Sequence, residues 1–202
     1  ADSLLVHHKI VTRDTAALNY AINTLDGPLG YVFAKQDLAK AYYFMGRNFY
    51  YLNDFSTAAE YYILCDRMNP SDSMYKGRIN SCMGFICKQD SCFEEALVFY
   101  ERANEAFEKS GDEKRIANGL VSIAEQYVNL KEYDKVDSVL SLASRYEIDS
   151  AYYADIMDVK AIALYNQQIY DSALVLLLGI KDYPRNIEAK TYSYLMIARC
   201  YN

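Results

Sequence analysis

Apolar residues along this chain recur three and four positions apart, in stripes broken by polar turns. That is the spacing of one helix face, not the alternation of a strand. One stripe runs Tyr42, Met45, Gly46, Phe49; after the turn at Asn53-Asp54 a second runs Phe55, Ala58, Tyr62, Cys65, and Pro70 closes the unit. The two-stripe unit returns as Asn80, Met83, Gly84, Cys87 with Phe93, Ala96, Tyr100, Ala103. It returns as Leu120, Ile123, Ala124, Tyr127 with Tyr133, Val136, Leu140, Ala143. A fourth copy places Met157, Ala161, Leu164 before Tyr170, Ala173, Leu177, Ile180, and a fifth opens with Tyr194, Ile197, Ala198, Tyr201.

The small residues Gly46, Gly84, Ala124, Ala161 and Ala198 stand 38, 40, 37 and 37 residues apart. They predict where two antiparallel helices of a unit cross, because a larger side chain would hold the axes apart. Second helices are signposted too. Ser91-Cys92-Phe93-Glu94 has capping-box spacing, and Asp54, Asp134 and Asp171 fall in first turns, where the helix dipole favours negative charge. The expected class is therefore all-α, with repeats over 39–76, 77–116, 117–153 and 154–190 and a partial one over 191–202. Residues 1–38 are less regular. A helix from Asp14 to Leu25, ended by Asp26-Gly27-Pro28, reads with Ser3–Ile10 as a degenerate hairpin capping the stack.

These offsets resemble the tetratricopeptide repeat, best over 39–70 and more weakly toward 190, where Lys160 takes an apolar position and Arg185 replaces the closing proline. The units exceed the family's usual length of about 34 by three to six residues, as in long-repeat bacterial regulators. The resemblance implies a right-handed superhelical solenoid whose concave wall is lined by the first helix of each unit. Carried over by position, that wall takes Tyr43, Arg47 and Tyr50, then Arg78, Ser81, Phe85 and Lys88. It continues with Asn118, Ser122 and Glu125, and ends with Asp155, Asp158, Ile162 and Tyr165. It changes from aromatic and basic to acidic along its length, and aromatic-plus-Arg surfaces have the composition of binding hot spots. The family's chaperone-binding carboxylate clamp is not implied, since its Lys and Asn places hold Tyr43 and Arg47.

Composition narrows the function. Twenty-one Lys and Arg against 27 Asp and Glu give a net charge of −6, and the densest basic pair, Lys114-Arg115, is flanked by Asp112 and Glu113. Nucleic-acid binders show a basic stripe instead. The longest apolar run, Ala173 to Leu178, is far short of the roughly 18 residues a membrane span needs. Cys82, Cys87 and Cys92 are five apart, without zinc-site spacing, so the cysteines read as buried small hydrophobes. His7-His8 reads as a surface pair. No phosphate loop, nucleophile elbow or HExxH motif occurs, so the expectation is a non-enzyme with no cofactor and no metal.

The expected activity is capture of a protein or peptide, as the sensory or assembly part of a longer chain. The competing reading is a glycan or small-molecule receptor in the same groove, to which the 21 tyrosines would suit stacking on sugars. The absence of long inter-helix insertions weighs against it. Self-association through the open fifth unit is also expected. Ala1-Asp2-Ser3-Leu4-Leu5 and Tyr170-Asp171-Ser172-Ala173-Leu174 resemble repeat-containing envelope lipoproteins of gut Bacteroidetes. So do six Asp-Ser/Thr tripeptides, at Asp2, Asp14, Asp72, Asp137, Asp149 and Asp171. The implied compartment is the cell envelope; unpaired cysteines favour the alternative, the cytoplasm.

Overall fold

The computed structural model describes residues 35–68, 72–146, 149–184 and 187–201. The expected N-terminal hairpin, apart from its last few residues, and His7-His8 lie outside them. Among the described residues the regular structure is entirely α-helical: α1 (Lys35–Tyr51), α2 (Phe55–Arg67), α3 (Ser73–Gln89), α4 (Phe93–Ser110), α5 (Glu113–Asn129), α6 (Tyr133–Ala143), α7 (Ser150–Asn166), α8 (Tyr170–Ile180) and α9 (Ile187–Cys200). Helices pair as α1–α2, α3–α4, α5–α6 and α7–α8; α1 also meets α3, α5 meets α7, and α7 meets α9. None is long and apolar enough to cross a membrane.

Every hairpin turns in the same way. Asn53, Ser91, Lys131 and Gln168 are left-handed, with φ of 60°, 59°, 61° and 65°. The next residue's N–H donates back five positions: Asp54 to Phe49, Cys92 to Cys87, Glu132 to Tyr127 and Ile169 to Leu164, all at 2.9–3.0 Å. Each left-handed N–H also donates three positions back, which completes a Schellman motif. The expected capping box at Ser91 is therefore not formed. Ser91 is the left-handed residue, and Cys92 takes the N-cap without a side-chain cap bond. Asp54, expected in a first turn, is instead the N-cap of α2 and accepts from Thr57 N at 3.2 Å. First helices are capped by carboxylates as well: Asp72 accepts from Met74 N at 2.8 Å, Asp112 from Arg115 N at 3.1 Å and Asp149 from Tyr152 N at 2.8 Å. These caps start α3, α5 and α7 four residues ahead of the boundaries expected at 77, 117 and 154.

The seam lies where the small residues put it. Ala58, Ala96, Ala124, Ala161 and Ala173 are fully buried, as is Tyr62. A Cβ on Gly46 would stand 2.8 Å from the Tyr62 ring and 3.1 Å from the Ala58 carbonyl. Three expectations need correction. In α9 the buried face is Ser193 and Met196, turned onto α7 and α8, while Tyr194 (51%) and Tyr201 (69%) are exposed, as is Ala198. Tyr170, expected in the fourth stripe, is exposed as well. Of the cysteines only Cys65 is buried, its thiol donating to the Ala39 carbonyl at 2.9 Å, and Cys92 is exposed. Its place at a turn, rather than on a helix face, is what leaves Cys92 in solvent.

Candidate functional site

Adjacent first helices bring the N-terminal wall residues together. Tyr50 of α1 meets Phe85 of α3 edge-on at 5.3 Å between centroids, and Phe55 at the head of α2 closes a three-ring cluster, 5.8 Å from each. About two turns away on α1, Tyr43 packs edge-on against Tyr75 at 4.9 Å and is only 4% exposed. It is a floor for the site, not a platform open to a ligand. Burial raises its ionisation above the usual tyrosine value, against the opposing pull of Arg78 and Arg47.

Arg47, Arg78 and Arg115 all act on the Cys82 thiol, whose ionisation burial nevertheless pushes up. Arg115 is committed, ion-paired with Asp112 at 3.1 Å and 5.6 Å from the Phe107 ring centroid. Arg47 lies over the Tyr51 ring, 5.3 Å from its centroid. Arg78 is half-buried, and its Nε is enclosed with no hydrogen-bond acceptor among the described residues. Neither Arg47 nor Arg78 has a carboxylate partner among the described residues, whereas Lys88, Lys135 and Lys160 each do. A guanidinium offers a planar fork of donors to a carboxylate and a flat face to an aromatic ring.

Further along, the wall is self-satisfied. Lys88 of α3 is bonded to Glu125 of α5, so two of the expected ligand contacts neutralise each other. Ser122 donates to the Asn118 carbonyl at 3.2 Å, leaving Asn118 exposed and Ser122 half-buried. Asp158 accepts from Ser193 of α9 at 2.9 Å. Ser81 and Ile162 are half-buried, Asp155 is exposed, and Tyr165 packs edge-on with Tyr170 at 5.2 Å. The expected wall residues thus divide into a basic aromatic group without carboxylate partners among the described residues and a remainder in which Lys88, Glu125, Ser122 and Asp158 are already bonded within the chain. Two surface depressions lie elsewhere. One is lined by Tyr146, Asp149, Tyr152, Tyr153 and Met157 among others, the second by Lys160, Leu164, Asp171, Ser172, Val175 and Leu176. No expected wall residue lines either.

Reading the sequence missed Arg115 and Cys82. Arg115 was visible only as half of Lys114-Arg115, and the Asp112 cap is what places it in the first turn of α5. Neither a protein-family model nor a curated protein sequence matches this chain.

Proposed function

We propose that the chain is a tetratricopeptide-type solenoid that does no chemistry and captures a polypeptide on its first-helix wall, at the end formed by α1 and α3. Four hairpins with one turn geometry and one seam register support the repeat reading. The observation that carries the function is the pair Arg47 and Arg78, without carboxylate partners among the described residues, beside the Tyr50–Phe55–Phe85 cluster. In a chain of net charge −6, two arginines without carboxylate partners among the described residues, beside half-buried rings, suit a ligand that brings both carboxylate and aromatic groups. The fitting partner is an acidic peptide segment carrying Phe, Tyr or Trp.

A peptide array of random acidic-aromatic, acidic-aliphatic and basic-aromatic sequences tests this reading. The expected result is retention of the acidic-aromatic class, lost when Arg47 and Arg78 are both changed to Gln. Equal retention of all three classes would remove the site.

A further inference from the structure

The four Schellman turns place the same two positions in register, the donor and acceptor of the five-residue backbone bond. These pairs are Phe49 with Asp54, Cys87 with Cys92, Tyr127 with Glu132 and Leu164 with Ile169. In this motif the two side chains face each other, which is why an apolar contact commonly accompanies it. At the α3–α4 turn both members are cysteine.

The backbone bond bounds their separation. Cys92 N lies 2.9 Å from the Cys87 carbonyl oxygen. Adding the Cα-to-O and N-to-Cα lengths, about 2.4 and 1.5 Å, the two Cα atoms cannot be more than about 6.8 Å apart, even in a straight line. That upper bound coincides with the limit of disulfide geometry, roughly 4.4–6.8 Å, and the bend at Ser91 brings the true distance inside it. The sulfurs sense one another, since Cys92 is among the charges that raise the Cys87 thiol, after burial itself. Cys87 is half-buried against Ala96, Tyr100 and Ile123; Cys92 is exposed, with its Sγ 3.7 Å from the Asp90 carbonyl.

We propose that Cys87 and Cys92 form a reversible disulfide that staples the end of α3 to the start of α4. Cys92, exposed at the N-cap of α4, is the accessible member of the pair and the attacking group. Its thiolate attacks one sulfur of a low-molecular-weight disulfide such as glutathione disulfide, forming a mixed disulfide and expelling one glutathione thiolate. Cys87 then gives up its proton and attacks the Cys92 sulfur, expelling the second. Two protein thiols become one S–S bond, and the two hydrogens end on two glutathione molecules. The closed ring is small, and it fixes the hairpin that carries Phe85 and Lys88. This inference does not depend on the peptide-binding proposal.

The test equilibrates the full chain in glutathione buffers of increasing disulfide fraction, followed by acid quench, alkylation and peptide mass spectrometry. The expected product is an intramolecular Cys87–Cys92 cross-link two hydrogens lighter than the dithiol, with Cys65, Cys82 and Cys200 still alkylated. Cys92→Ser, at an exposed position that leaves the fold undisturbed, should abolish the cross-link and leave Cys87 alkylated. The oxidised protein should melt a few degrees above the reduced one, and Cys92→Ser should show no such difference. Stable glutathione adducts at Cys92 without ring closure, or preferred pairing with another cysteine, would overturn the proposal.

Discussion

The ring of Tyr100 fills the space a side chain would take at Gly84: a Cβ there would stand 3.0 Å from two of its carbons. Seven residues earlier on α3, a Cβ on Gly77 would stand 2.3 Å from the ring of Phe107, seven residues later on α4. The two helices therefore run antiparallel, with two glycine-to-aromatic contacts seven residues apart on each helix. Gly179 on α8 has nothing within 4 Å of the same position.

These three glycines should respond differently to substitution. Gly179→Ala should stabilise by up to about 1 kcal/mol, the helix-propensity gain with no steric cost. Gly77→Ala should lose stability despite the same gain, because the Phe107 ring must move. Gly84→Leu should cost about 1–3 kcal/mol or more, as overpacking does in close-packed interiors. Chemical denaturation measures all three, and a loss below about 0.5 kcal/mol for Gly84→Leu would contradict the seam register.

The turns offer a second series. Ser91, Lys131 and Gln168 hold left-handed backbones, which cost a residue with a Cβ roughly 1–2 kcal/mol relative to glycine. Replacing each by Gly should stabilise by about 0.5–1 kcal/mol after the added freedom of the unfolded chain is offset. Asn53 tolerates this conformation, so Asn53→Gly should gain least. Thermal melts of the four single variants should give that order; a uniform loss would mean the turns are not shared.

How far the sequence carried the fold can be read from particular residues. The stripe spacing of Gly46, Gly84, Ala124 and Ala161 located the hairpins, because close helix approach needs small residues wherever it occurs. The helix starts were misplaced because Asp72, Asp112 and Asp149 cap from outside the apolar stripe, where periodicity carries no signal. Tyr43 read as an open wall position because register gives direction but not the depth at which a neighbouring Tyr75 covers it. Nothing in one dimension could show that Lys88 and Glu125, 37 residues apart, neutralise each other.

Alkaline pH should destabilise the fold. Burial pushes the Cys65 thiol up to about 12 and the Tyr152 hydroxyl, also buried, up to about 12. Both stay neutral in the folded chain, whereas the unfolded chain ionises them from about pH 9 to 10. The stability they contribute is complete below that range and is lost as pH rises toward 12. Denaturant midpoints from pH 7 to 11 should therefore fall, and Cys65→Ala should flatten the fall. A midpoint independent of pH across that range would contradict the buried placement of both groups.

Binding at the α1–α3 end is the central claim, and one measurement addresses it most directly. An acidic-aromatic peptide selected on the array is titrated by calorimetry against wild type, Arg47→Gln/Arg78→Gln and Arg47→Lys/Arg78→Lys, each at low and high salt. Arg78 is half-buried against Tyr43, so melting curves are recorded alongside to confirm that all three proteins are folded. The account predicts a loss of tenfold or more for the Gln pair together with a shallower salt dependence. The Lys pair should fall in between, keeping the charge but not the guanidinium fork. Equal affinity and equal salt dependence across the three folded proteins would contradict it.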